Sequence, residues 1–579
     1  MKRLDMKPPI RFSLLTAAAL LIAACGKPAA TPGADHVFLN AAAYTLADGT
    51  PWAEAVAVDG DRIVYVGDDA GAKDFIGSET TVHDLAGEML LPGFIDTHMH
   101  PVMGGAYAKA LSLDTFGTVD DWVAAIGAYA KAHPDAKLIF GYGFLATTFG
   151  PGGPTRQMID AVEDERPVLI MDEGFHGAWA NTKALKALNI TQDTTDPVPG
   201  FSYYKRDANG DATGYLLEGA AAKAMDDLNV ITEDTIVDGT AYVIDTLNSY
   251  GVTALFDAGA VGHQDILPQV LERLESDGDL TVRIDGSYFM DDPEAVPYAV
   301  ERAEAFRDTI KGKHYHYRVL KILDDGTIEG RTAAMFEDYQ GEPGNSGDTI
   351  FTQAQLTSMI TAAAAANLDV HVHALGERAI NDALNAIEAA RKANPDTDSR
   401  FTICHIEVIT DQDLPRFRDL DVIAQSTPLW ASYDTYGKQF VSDDQFKRYF
   451  RFNSLKKLGV RLTFGSDFPA SGAGMLGMSP ILQMEIGHTR QDPGDPDAPI
   501  QPRESERLDI DSLIRGYTID AAYQLRMEDQ IGSLEVGKKA DLVVLDHNLF
   551  DVDPYAIHET RVLLTMFDGN VVYTAPAIQ

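Results

Sequence analysis

Residues 368–394 read LDVHVHALGERAINDALNAIEAARKAN. Leu368 to Ala374 is a short apolar strand, with Val370 and Val372 on one face and His371 and His373 on the other. The rest carries apolar residues at Ile380, Leu384 and Ile387, which is helical spacing. A strand running straight into an amphipathic helix is the repeating half of a parallel α/β fold. The texture recurs, for example in VLIMD (168–172) followed by NTKALKALNI (181–190). It predicts an α/β chain built as a (β/α)₈ TIM-like barrel over 92–529. That span is long for one barrel, so insertions are expected, notably around Phe144–Thr155 and Pro197–Thr213.

Outside this span the texture is all-β. HVFLNAAAYTL (36–46), AEAVAVDGDRIVYVGDD (53–69) and TTVHDLAGEMLLPG (80–93) read as strands separated by Asp-Gly turns. GSLEVGKKADLVVLD (532–546) and TRVLLTMFDGNVVY (560–573) look the same. The two chain ends, 36–91 and 530–579, are expected to build one small β-sandwich domain together.

The chemistry is concentrated in LPGFIDTHMHP (91–101). Alternation puts Asp96, His98 and His100 on one face of a strand. In a barrel that face is the interior, and active sites lie at the C-terminal ends of the strands. Two imidazoles at this spacing can hold one divalent ion. Further strand ends offer the same kind of group. Lys321 lies in RVLKILDDG and His371 and His373 in DVHVHALGE. His405 follows FTIC, and Asp467 lies in VRLTFGSDFPAS. His373 is nearer its strand's C-terminal end than His371 and is the better ligand candidate. Asp96 fits a supporting role behind an imidazole. Each residue alone has a bland reading: a hydrogen-bonded core histidine, a surface lysine, a turn aspartate. The argument rests on several strand ends in succession each offering a metal-competent group. Trp430, Tyr433 and Phe144 are the aromatic candidates for pocket walls, with Trp430 taken as a substrate contact.

The order His-x-His, Lys, His, His, Asp resembles the amidohydrolase superfamily. The surrounding text resembles its third branch, which includes N-substituted formamide deformylase. The matching stretches include LPGFIDTHMHP, RPVLIMDEGFHGAWANTKAL, GDATGYLLEGA, RVLKILDDGTIEGRTAAM, HVHALGERAI, HIEVI, FGSDFPAS and IGSLEVGKKADLVVLD. They run from about His36 to Tyr573. The resemblance implies that His98, His100, His373, His405 and Asp467 are metal-site positions. It also implies that Lys321 is carboxylated and bridges two ions, and that His176 lies near the substrate. Three departures fall on the pocket and bear on substrate, leaving the ligand positions intact. Gly376-Glu377-Arg378 stands where the branch has Gly-Asp-Arg, and Cys404 stands where a Glu precedes the histidine. Gln425 is followed by Ser-Thr-Pro428-Leu-Trp430 instead of directly by Pro.

The expected enzyme is a metal-dependent amidohydrolase acting on carbon–nitrogen bonds other than peptide bonds, with zinc, as one ion or two, the expected cofactor. Bound zinc lowers the pKa of water from about 15.7 to about 7. The hydroxide attacks the carbonyl, and Asp467 carries the proton to the leaving nitrogen. The alternatives are an ester or lactone hydrolase or an isomerase on the same centre, or a non-catalytic metal- or solute-binding lipoprotein. The presence of Asp467 argues against a binder, which has no use for a proton shuttle.

The N-terminus reads as a leader. Lys2, Arg3, Lys7 and Arg11 precede the apolar run Phe12–Ala23, which is too short to span a bilayer. It ends in Ile22-Ala23-Ala24-Cys25, which resembles a lipobox. Residues 1–25 are therefore expected to be a lipoprotein signal ending at a lipidated Cys25, and 26–35 a flexible tether. Gly26 after Cys25 favours, by resemblance, the periplasmic face of a bacterial outer membrane. Cys404 is the only other cysteine, so no intramolecular disulfide is available once Cys25 carries lipid. The net charge of −40 argues against nucleic acid as a partner. The expected partner is a small amide-like molecule, with the lipid anchor as the sole membrane contact and a homodimer left open.

Overall fold

A computed structural model describes residues 33–114, 117–172, 176–199 and 202–576. Cys25 and its leader lie outside the described residues. Eight strands form the central sheet: β1 (Phe94–Met99), β2 (Val252–Asp257), β3 (Arg283–Met290), β4 (Tyr315–Leu323), β5 (Asp369–Ala374), β6 (Phe401–His405), β7 (Val422–Ser426) and β8 (Leu462–Phe464). Each pairs in parallel with the next in sequence. The sheet curls until its ends meet in a nearly closed, TIM-like barrel. The seam is made just past β8, where the Asp467 N–H donates to the His98 carbonyl at 2.7 Å and the His100 N–H to the Phe468 carbonyl at 2.8 Å.

The helix after β5, Glu377–Ala393, buries Ile380, Ala383, Leu384, Ile387 and Ala390. Positions spaced by three and four make one apolar stripe, and it packs on the helix Gln353–Ala365. Burial of each leucine or isoleucine contributes about 1.5–3 kcal/mol. This pattern recurs around the barrel and anchors the strands that carry the site.

Between β1 and β2 the chain builds a separate six-stranded sheet, larger than the two insertions expected. Its order is Tyr204–Arg206, Ala212–Leu217, Gly177–Ala180, Val168–Asp172, Ile139–Phe144, Leu111–Ser112. VLIMD belongs here and not to the barrel. It pairs antiparallel with Gly177–Ala180 on one side and in parallel with Ile139–Phe144 on the other. A buried strand before a helix looks the same locally in either setting.

The chain ends do share a sheet. Leu542–Leu545 pairs antiparallel with Met89–Pro92 and with Val562–Phe567, which pairs in turn with Asn570–Thr574. A four-stranded sheet of Arg62–Gly67, Ala55–Asp59, His36–Leu39 and Thr81–Asp84 lies against it. Phe38, Val56 and Val58 from the second sheet join Leu90, Leu542, Val544 and Met566 from the first in one apolar cluster. The segment GSLEV, read as a strand, is turn and coil. Among the described residues no helix is long and apolar enough to cross a membrane.

Candidate metal centre

The C-terminal ends of β1, β4, β5, β6 and β8 converge. The Nε2 atoms of His98 and His100 lie 3.4 and 3.5 Å from Asp467 Oδ1. Lys321 Nζ lies 3.3 Å from His98 Nε2 and 3.2 Å from Cys404 Sγ. The rings of His373 and His405 are 4.4 Å apart, and those of His98 and His405 4.7 Å. The ligand-type atoms of His98, His100 and Asp467 all lie within 4.8 Å of one another, and so do those of His98, Cys404 and His405. The structure therefore brings together His98, His100, Lys321, His373, His405 and Asp467.

Hydrogen bonds aim the rings. His100 Nδ1 lies 2.8 Å from the Gly259 carbonyl, so Nδ1 carries the proton and Nε2 keeps a lone pair. His98 Nδ1 lies 3.0 Å from His371 Nε2. His371 thus backs His98 from behind, the role the sequence suggested for Asp96. The Asp96 carboxylate instead accepts the backbone N–H groups of His98 and Ser466, all at 3.1 Å, and so pins the barrel seam. Burial pushes the Asp96 carboxyl up to about 7, against the pull of the Ser466 and His98 hydrogen bonds.

The donor set fits a divalent ion. His373 Nε2 and both ring nitrogens of His405 are buried without a hydrogen-bond partner. A buried polar atom of this kind costs free energy unless something else satisfies it. Burial, reinforced by the neighbouring Lys321 and histidines, holds His98, His371, His373 and His405 well below the usual imidazole pKa. They are neutral at pH 7, as metal ligands must be. His405 and Asp467 have φ of 73° and 52°, in the left-handed region that non-glycine residues seldom occupy. Strain of this kind concentrates at functional sites.

A cavity of about 600 Å³ opens onto His373, His405 and Asp467, with Trp430 and Tyr433 in its walls. The Trp430 ring lies 5.6 Å from that of His405, and its indole N–H donates to the Ser471 carbonyl at 3.1 Å. Phe144 is not in this wall: it is buried among Trp122, Phe149 and Trp179 in the added sheet. His176 does not line the cavity either. Its side chain is 75% exposed on the added sheet, with Nδ1 3.0 Å from Glu218 Oε2. The sequence reading passed over three carboxylates that do line it, Glu329, Glu407 and Asp434. Glu407 was within reach, because it follows His405 by two positions and alternation would put it on the same face.

The family model described as "Amidohydrolase family" matches residues 81–573. The chain belongs to the amidohydrolase family. Its members are metal-dependent hydrolases, and this amidohydrolase is an enzyme of that kind acting on a small molecule. It is 30% identical over 439 residues to the exoenzymes regulatory protein AepA of Pectobacterium carotovorum subsp. carotovorum, covering 74% of this chain and 93% of that one. It is 25% identical to the N-substituted formamide deformylase of Arthrobacter pascens, covering 93% of this chain and 98% of the relative. An uncharacterized metal-dependent hydrolase from Pyrococcus horikoshii OT3 shares the fold with a TM-score of 0.69 and 24% identity, covering 90% of this amidohydrolase and 99% of that chain.

Proposed function

We propose that this amidohydrolase cleaves the carbon–nitrogen bond of a small amide, an N-acyl or N-formyl amine. The ligands would be His98, His100, His373, His405 and Asp467, with Lys321 as a carbamate. The observation that carries the reading is Asp467 Oδ1, within 3.5 Å of the Nε2 atoms of both His98 and His100 in the lining of a substrate-sized cavity. A divalent ion bound there, zinc by preference, supplies Lewis acidity that activates water and polarises the amide carbonyl. Asp467 accepts the proton of the attacking water and delivers it to the leaving nitrogen. That delivery matters because an amide anion is a very poor leaving group. Trp430 forms an apolar wall of the cavity beside His405 against which the substrate can rest. The similarity to a formamide deformylase supports an amide substrate.

The test is hydrolysis of a panel of N-formyl and N-acyl amines by metal-assayed protein, wild type against Asp467→Asn. The variant keeps the shape and one ligand oxygen but cannot take the proton. Turnover should fall at least about 100-fold while most of the metal is retained. Activity within about threefold of wild type would assign the proton transfer to another group.

A further inference from the structure

The three carboxylates in the cavity wall form a second feature. Oxygens of Glu329, Glu407 and Asp434 lie within 4.8 Å of one another. They come from the loops after β4, β6 and β7 and share the cavity with His373, His405 and Asp467. Glu407 is only 5% exposed, and its carboxylate has no hydrogen-bond or ion-pair partner among the described residues. Asp434 Oδ1 accepts from the backbone N–H groups of Tyr436 and Gly437 at 2.9 and 2.8 Å, while its buried Oδ2 has no partner among the described residues. Cations in adjoining sequence are committed elsewhere. Arg331 pairs with Glu342, and Lys438 donates to the Tyr433 hydroxyl at 2.7 Å.

Three crowded carboxylates repel one another, and a buried acid without a partner is costly. The arrangement is relieved by uptake of a proton or by positive charge arriving from outside, and an open cavity beside the trio admits the second. We propose that Glu329, Glu407 and Asp434 are the subsite for an organic cation, the ammonium or guanidinium group of the substrate. Two features favour an organic cation over a metal ion. Trp430 and Tyr433 line the same cavity, and aromatic faces attract organic cations. One oxygen of Asp434 is also already committed to backbone N–H groups, which leaves fewer free carboxylate oxygens for a hard cation to collect. The cavity is continuous from the imidazoles to the trio, so one molecule reaches both. The substrate class is then an N-acylated diamine or aminoalkyl guanidine, with its amide at the histidines and its free cation at the acids. Naming the cation as part of the substrate rests on the hydrolase reading, whereas its binding does not.

Calorimetric titration of the full-length, metal-containing protein with pentylammonium chloride, using 1-pentanol as the uncharged control, separates the two. Pentylammonium should bind at least about tenfold more tightly than pentanol, the size expected for hydrogen bonds to a charged group. Glu407→Gln and Glu329→Gln should each shrink that preference, with melting curve and metal content unchanged. Should the Glu407 variant fail to fold, the half-buried Glu329 position decides. The subsite is overturned if pentylammonium binds no better than pentanol, or if the preference survives in the variants. It is equally overturned if dialysis against divalent cations shows an extra bound ion that Glu407→Gln loses. Cation preference without amide hydrolysis removes the amide-hydrolase reading and keeps the subsite. Hydrolysis without cation preference does the reverse.

Discussion

At the scale of single residues the decisive side chain is Lys321. It is buried, no carboxylate among the described residues pairs with it, and its Nζ sits beside His98 Nε2 and Cys404 Sγ. A divalent ion held by the adjacent imidazoles would be repelled by an ammonium at this spot and attracted by a carbamate. Burial pushes the Cys404 thiol up to about 12 despite Lys321, so it stays a neutral thiol beside the amine. Lys321→Ala should therefore lose metal affinity by at least about tenfold, comparable with the loss of other groups that support ligands. A short carboxylic acid added to the medium should restore part of it, and reconstitution of the apoprotein should depend on bicarbonate. Full metal content in Lys321→Ala, together with reconstitution indifferent to bicarbonate, would remove the carbamate from the account.

At the scale of elements the weak joint is the seam between β1 and β8. β8 has only three residues, and the seam is held by Asp96 and the exchange of hydrogen bonds between 98–100 and 467–468. Gly465 makes the close approach possible. A Cβ there would stand 2.4 Å from His98 N and 2.6 Å from Asp96 Oδ1, both held in place by the seam itself. Gly465→Ala should destabilise by about 1–3 kcal/mol, the range for overpacking. Its effect on turnover should be larger, because displacing Asp467 by about 1 Å can cost about 100-fold. Thermal melting and steady-state assays on the same sample check this. An alanine variant with near wild-type turnover would mean that the seam does not position Asp467.

At the scale of the whole molecule, the barrel is joined to the sheet from the chain ends by a buried ionic cluster. Arg283, the first residue of β3, donates to Asp541 at 2.8 and 3.1 Å and to Asp568 at 2.7 Å. Lys539 adds a bond to Asp568 at 2.9 Å. Burial alone would raise the Asp568 carboxyl, but hydrogen bonds from Arg283 and Lys539 override it and hold it well below the carboxylate range. A depressed acid contributes stability that is present above its unfolded pKa, about 3.9, and is lost as pH falls through the folded value. Wild-type melting temperature should thus drop below about pH 4. Asp568→Asn should be less stable at pH 7 by about 3 kcal/mol, as when one partner of a buried pair is removed, and should show a shallower acid dependence. Parallel acid profiles for the two proteins would show that the cluster does not set the acid limit.

Local periodicity determined much of this protein from sequence alone. The alternation in 368–374 and the three-and-four spacing after it place β5 and its helix, and His-x-His at 98 and 100 marks a strand end that carries two of the candidate ligands. Such patterns are legible because strand and helix repeats act between near neighbours. Three things were decided only by the tertiary structure. His371 and His373 share a face. Position along the strand already favours His373 as the ligand, but it is the register of β4 on β5, with Lys321 opposite His371, that sets His371 behind His98. VLIMD has the texture of a barrel strand, but its antiparallel partner at 177–180 takes it into another sheet, and pairing partners are not written in a segment's own pattern. The trio of Glu329, Glu407 and Asp434 comes from three loops far apart in sequence, and only closure of the barrel brings their charges together.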